Sequence, residues 1–320
     1  MIDPHSFLDL NPSPICLGTA DLGSAVDKNI SFAILDAYVE SGGNFLDTAK
    51  VYADWLPGER STSEKLLGEW MHSHHNRSAL IIGTKGAHPE LDTMHIPRLS
   101  RAEIEADLNA SLRHLQTDVI DMYWLHRDDP ARPVEDILAT LNDAVKAGKI
   151  RFFGCSNWRL ERLRLANEYA SSHGLTGFAG NQVMWSMAIV DTQAIGDPSI
   201  VAMDNRFYAY HCATRLPVLS FSATANGFFQ KLAKGGLSSL DPMLQKVYGS
   251  PANLVRYERA RQLAKRRGLS ITQVGLGYLL SQPFPSCPIV GPKTLTQLQD
   301  CLTAAKVRLE PAEIEFIESE

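Results

Sequence analysis

Eight short apolar runs rich in Val, Ile, Leu and Phe alternate along this chain with amphipathic stretches of helical length. That alternation restricts the fold more than any other feature, because it is what repeated β–α units around a parallel sheet require. The runs lie at about 15–18, 44–48, 79–84, 119–125, 151–155, 180–184, 217–221 and 287–290. Helices are predicted near 30–42, 63–75, 101–116, 134–147, 160–173, 205–214, 252–267 and 294–305. Ser100 followed three residues later by Glu103 is a capping box opening one of them. Gly148, Gly174 and Gly268 stand where a left-handed residue closes a helix. Two connections, about 186–204 and about 223–250, are long for turns.

Eight such units either close into a barrel or form an open doubly wound sheet, and periodicity does not choose between them. An open dinucleotide-binding sheet carries Gly-x-Gly-x-x-Gly after its first strand, whereas this chain reads Gly18-Thr19-Ala20-Asp21-Leu22-Gly23 there. The expectation is therefore a (β/α)8 TIM barrel, a single domain over 1–320. In a barrel the C-terminal ends of the strands form the active site.

Three successive strand ends carry titratable groups. The second ends in Asn44-Phe45-Leu46-Asp47 and runs on to Tyr52, the third in Gly83-Thr84-Lys85, the fourth in Tyr123-Trp124-Leu125-His126. The chemistry that suits this set is proton transfer by the Tyr52 phenol. A free phenol has a pKa of about 10, so it serves near neutrality only if a cation lowers that value. Lys85 supplies the cation, Asp47 holds it charged, and His126 orients a carbonyl oxygen or relays a proton. The competing structural reading is a buried Asp47–Lys85 ion pair with Tyr52 merely packed beside it.

Asp47-Thr48-Ala49 with Tyr52, then Lys85, then His126 resemble the catalytic tetrad of the aldo-keto reductase superfamily. The resemblance extends through Gly148-Lys149-Ile150-Arg151, Gly154-Cys155-Ser156-Asn157, Asn181-Gln182-Val183 and Ile289-Val290-Gly291-Pro292-Lys293, roughly residues 13 to 318. It implies a barrel that binds NADPH, with NAD as the alternative, across its C-terminal face without a dinucleotide fold. By position it implies Ser156, Asn157 and Gln182 on the nicotinamide carboxamide, and Trp185 stacked on the ring. Ser222 and Gly227 fall at the pyrophosphate, Lys293 and Thr294 at the 2′-phosphate, Gln297 and Asp300 near the adenine ribose and base. Cys301 stands where the family usually has Asn. The implied reaction is hydride transfer to an aldehyde or ketone, with Tyr52 protonating the developing alkoxide.

Around that centre Trp55, Arg127, Asp128 and Trp158 are the candidate substrate pocket. Indole faces with carboxylates suit a sugar or polyol; the bland reading is that Asp128 and Asp129 cap a helix and Trp158 packs. Two further readings compete with a carbonyl reductase. One is a cofactor-binding regulatory subunit without turnover, the other a dehydrogenase that mainly oxidises a sugar alcohol or glycoside.

Net charge of −5 and a single basic run, Lys265-Arg266-Arg267, argue against a nucleic-acid partner; the run complements a helix C-terminus. The His72-Ser73-His74-His75 cluster reads as a solvated helix end, and no metal site is expected. Five scattered cysteines fit reduced thiols. Met1 to Leu10 lacks a secretory pattern and no stretch is of membrane-spanning length, so a cytoplasmic protein is expected. Oligomeric state is left open.

Overall fold

The computed structural model describes residues 4–319. The expectations for the leader (Met1–Leu10) and for a domain over 1–320 therefore reach partly outside the described residues. Eight parallel strands close into a barrel in the order of the chain: β1 Cys16–Gly18, β2 Phe45–Asp47, β3 Ile81–Gly86, β4 Ile120–Leu125, β5 Ile150–Ser156, β6 Asn181–Met184, β7 Val218–Phe221 and β8 Ser286–Val290. The helices are α1 Lys28–Glu40, α2 Thr62–His74, α3 Arg101–His114, α4 Val134–Lys146, α5 Leu160–Ser172, α6 Asn205–Thr214, α7 Phe228–Gly235, α8 Pro242–Tyr248, α9 Pro251–Arg267, α10 Ile271–Leu280, α11 Leu295–Thr303 and α12 Pro311–Glu318.

Backbone contacts group the chain into two compact units. The first ends at Gln182 and takes in Gly291–Leu295; the second comprises Val183–Val290 and the chain from Thr296 onward. In the first unit β3 and β4 are buried along their whole length, which is why they read as mainly apolar runs, broken by Thr84 and Lys85 in β3 and by Asp121 in β4. Register places their chemical ends level: Asp47 pairs with Gly83, Lys85 with Trp124, Leu125 with Cys155, and Ser156 with Gln182. The Ser100–Glu103 capping box is formed at the start of α3. Gly148 has a positive φ, as does Gly174.

In the second unit β7 and β8 pair Val218 with Ser286 and Ser220 with Pro288. Both long connections are more structured than loops. Segment 186–204 holds a 3₁₀ turn at Thr192–Ile195, and its backbone is tied down by Asn253, whose Nδ2 donates to Ile189 O at 2.7 Å and to Tyr248 O at 2.8 Å. Segment 223–250 contains α7 and α8, which short length and flanking glycines hid in the sequence. The basic run forms the last turn of α9, closed by Gly268 in the left-handed region. Among the described residues no helix is long and apolar enough to cross a membrane.

Candidate active site

Asp47 is the last residue of β2, Lys85 the last but one of β3, and His126 follows β4 directly. Tyr52 sits in the turn after β2, its N–H bonded to Ala49 O at 3.1 Å. The four predicted residues are thus brought to one end of the first unit. Lys85 is 1% exposed, and all three of its donors are used: Nζ gives hydrogen bonds to Asp47 Oδ2 at 2.6 Å, Thr48 O at 2.8 Å and Tyr52 Oη at 2.9 Å. Asp47 Oδ1 accepts from Gln182 Nε2 at 3.0 Å. A buried ion pair repays its desolvation only when its remaining groups are satisfied in this way. The phenol is not a bystander, because it is the third acceptor of the ammonium.

Burial pushes the Tyr52 phenol up, and the nearby Asp47 carboxylate pushes it further; Lys85 and Arg127 pull it down without reversing the result. Sequence reasoning anticipated a phenol lowered by its cation. The correction has a physical cause: burial raises the phenol, Lys85 lowers it, and the Asp47 carboxylate paired with Lys85 raises it again. The Tyr52 hydroxyl is accordingly protonated near neutrality and is held in place by a cation. Burial likewise raises Asp47, against Lys85, while Lys85 itself is held above its usual value by Asp47 and Tyr52 despite desolvation.

His126 is 8% exposed, and burial, then Arg127, His88 and Lys85, hold its imidazole well below the usual range. The ring is neutral. Its Nδ1 is buried with no hydrogen-bond partner among the described residues. His88, which sequence reading passed over, meets His126 edge-on with ring centroids 4.7 Å apart, and its own Nδ1 bonds to Pro89 O at 2.7 Å. The only signal for it was its place three residues beyond Lys85. Arg127 Nη1 donates to His126 O at 3.0 Å.

The proposed carboxamide residues form one hydrogen-bonded group. Asn157 Nδ2 donates to Ser156 Oγ at 3.1 Å, and Asn157 N to Gln182 O at 3.3 Å. A hydroxyl and two amides are a donor and acceptor set that fits a primary amide. Lys293, also in the first unit, is paired with Asp21 at 2.9 Å and remains 55% exposed. Thr294 follows it.

In the second unit Trp185 is 8% exposed, stacked on Phe284 at 5.8 Å and edge-on to Tyr208 and Tyr278. Ser222 and Gly227 both have positive φ and bracket a tight turn before α7. Gln297 lies in α11, as does Asp300, whose Oδ1 accepts from Ser270 Oγ at 2.6 Å and Gln273 Nε2 at 2.9 Å. Burial pushes the Cys301 thiol up to about 12.

The four pocket candidates differ sharply. Trp55 is 51% exposed and meets the Tyr52 ring edge-on at 6.1 Å. Trp158 is fully buried, with its indole N–H on Arg127 O at 3.2 Å. Asp128 is held by Arg162 through two hydrogen bonds of 3.1 Å, and burial raises its carboxyl.

A family model described as "Aldo/keto reductase family" matches residues 14–319. Norsolorinic acid reductase B of Dothistroma septosporum is 30% identical over 96% of this chain and 78% of its own length. An NADP(+) aryl-alcohol dehydrogenase of Phanerodontia chrysosporium is 28% identical over 96% of this chain and 82% of its own. The crystal structure of a thermostable aldo-keto reductase with the inhibitor epalrestat superposes with a TM-score of 0.68, at 21% identity, over 96% of this chain and 94% of that one.

Proposed function

This chain belongs to the aldo/keto reductase family and is an oxidoreductase, and from that premise we propose that it interconverts an aldehyde or ketone with an alcohol using NADP(H), residues 1–320 acting as one catalytic domain. The observation that carries the proposal is the threefold hydrogen bonding of Lys85 Nζ to Asp47, Thr48 O and Tyr52. A merely structural ion pair has no need to fix a phenol at 2.9 Å.

The residues do the following. Tyr52, protonated, gives its proton to the oxygen of the carbonyl as charge develops there, and Lys85 stabilises the phenolate left behind. Asp47 keeps Lys85 charged and aimed. His126, kept neutral by burial and taken with its proton on Nε2, donates to the same oxygen. Ser156, Asn157 and Gln182 hold the carboxamide of a nicotinamide, which when bound supplies the hydride. Lys293 and Thr294 are proposed for the 2′-phosphate, and this favours NADPH over NADH. Trp185, Ser222, Gly227, Gln297 and Asp300 are proposed as cofactor contacts on family position.

For the substrate, the half-exposed Trp55 indole beside Tyr52 favours an aromatic carbonyl compound. One relative is named for an aryl alcohol. The polyol reading loses its main support, since the Asp128 carboxylate is already committed to Arg162.

Tyr52→Phe tests the core of the proposal. It should lose nearly all NADPH-dependent reduction of aryl aldehydes, read at the cofactor's absorbance, while NADPH binding is retained. Unchanged turnover would sink the assignment. Tight NADPH binding by the wild type with no turnover of any carbonyl would point to a regulatory role instead.

A further inference from the structure

Arg162 lies in the first turn of α5, at the end of the helix where the backbone dipole disfavours a positive charge. Its side chain is only 15% exposed and caps nothing in its own helix. Local helix energetics therefore give no reason for an arginine here. Its partners do. Nε and Nη2 donate to the two oxygens of Asp128, each at 3.1 Å, and Nη2 also reaches Asp129 O and Arg132 O at 3.1 Å. The guanidinium lies 5.1 Å from the centre of the Trp158 ring.

The hydrogen bonds all fall on one segment, the connection from β4 to α4 that begins with His126, while Trp158 stands in the turn after β5. The indole that Arg162 covers donates to Arg127 O at 3.2 Å, and Arg127 donates to His126 O at 3.0 Å. At the other end His126 N is bonded to Gly86 O at 2.9 Å. The backbone from 126 to 132 is thus held at its start by β3 and along its length by one largely shielded guanidinium. A lysine cannot replace it, having neither the planar fork for Asp128 nor the flat face for Trp158.

We propose that Arg162 is a positioning residue for the reaction: it fixes the β4–α4 connection so that His126 keeps its aim on the substrate carbonyl, without touching substrate or cofactor. This rests on the carbonyl-reductase reading of the same site. Asp128 is then the other half of the clamp, not a ligand for the substrate. The role predicts a loss in the chemical step and a much smaller change in cofactor affinity, because the hydrogen bonds of Arg162 fall on residues 128 to 132, whereas the carboxamide group meets this segment at His126 O, 3.4 Å from Asn157 Nδ2.

The experiment compares Arg162→Met, Arg162→Lys, Asp128→Asn and the Arg162→Met/Asp128→Asn double variant with wild type. Steady-state reduction of an aryl aldehyde gives kcat, and fluorescence titration gives the NADPH Kd and the fraction of protein that binds it. Arg162→Met and Asp128→Asn should each lower kcat about 10- to 100-fold, the scale expected when a reacting group is misplaced by about an ångström. The double variant should be no worse than the more damaged single one, as for two halves of one interaction. Arg162→Lys should lie between, with the NADPH Kd within about twofold of wild type in every case. Wild-type kcat in Arg162→Met or Asp128→Asn overturns the proposal, as do additive losses or a kcat that falls only in step with the fraction binding NADPH. A wild-type protein that reduces no carbonyl overturns the parent reading along with this one; an active wild type with unaffected variants overturns only the clamp.

Discussion

Lys85 and Asp47 depend on each other more than either contributes alone. Both are almost wholly buried, and each satisfies part of the other's hydrogen-bonding capacity. Lys85→Met should leave a buried carboxylate without its cation, a loss of about 3–5 kcal/mol in urea unfolding. Adding Asp47→Asn should recover part of that loss, although turnover stays absent. A double variant as unstable as the sum of the singles would contradict the coupling. Trp55 stands at the other extreme, exposed and free to meet ligand. Trp55→Ala should raise KM for an aryl aldehyde by about 3- to 10-fold, the value of one aromatic contact, and leave a short aliphatic aldehyde unaffected. Equal changes for both substrates would remove Trp55 from the pocket. The tetrad was legible because Asp47, Lys85 and His126 lie at or next to the ends of apolar strands, with Tyr52 five residues after the first, and strand ends are visible in a sequence. Arg162 and His88 were not, because their partners are set by tertiary packing: Arg162 meets Asp128 across a separation of 34 residues.

Among the helices, α2 and α3 meet at backbone distance. A Cβ at Gly68 would lie 2.1 Å from His114 O and 2.9 Å from the carbonyl carbon of Leu115. Alanine normally favours a helix by about 1 kcal/mol over glycine. Here the sign should reverse, with Gly68→Ala destabilising by about 1–3 kcal/mol because backbone must move to admit the methyl group. A stabilised variant in urea unfolding would show that the two helices separate easily. The shift would also strain Glu64 in the first turn of α2, which is fully buried and accepts from Thr84 Oγ1 at 2.6 Å beside Lys85. Element by element, amphipathic helices such as α4 were readable from their one apolar stripe. Helix α10 was missed for the opposite reason. Seven of its ten residues are buried and two are glycine, so neither a polar face nor strong helix propensity marked it. Its Ser270 and Gln273 capping box was the one local sign in the sequence. The third strand begins at Ile81 and not at 79, because Arg77–Ala79 forms a 3₁₀ turn.

At the scale of the whole molecule, stability against acid is governed by groups whose protonation differs between the folded and unfolded chain. His211 is fully buried, with Nδ1 on Leu216 O at 2.9 Å and rings of Phe207, Tyr210 and Phe284 around it; burial lowers its pKa to about 4. The folded protein keeps this ring neutral where the unfolded chain, titrating near 6.5, binds a proton. Stability from His211 is therefore present above pH of about 6.5 and is lost as pH falls toward about 4, by about 3 kcal/mol at most. His126, also held low by burial, acts in the same direction. Asp47 and Asp128, held high by burial, act in the opposite one, because the folded state then takes up protons first as pH falls. The sum of these terms does not isolate one group, so the informative quantity is a difference between proteins. His211→Asn, which retains an N–H for Leu216 but does not titrate, should be less stable than wild type at pH 7 and lose less of its stability between pH 7 and 4. Urea unfolding at several pH values measures both. Parallel pH curves for the two proteins would mean that His211 binds its proton equally well folded and unfolded, and would place the acid sensitivity elsewhere.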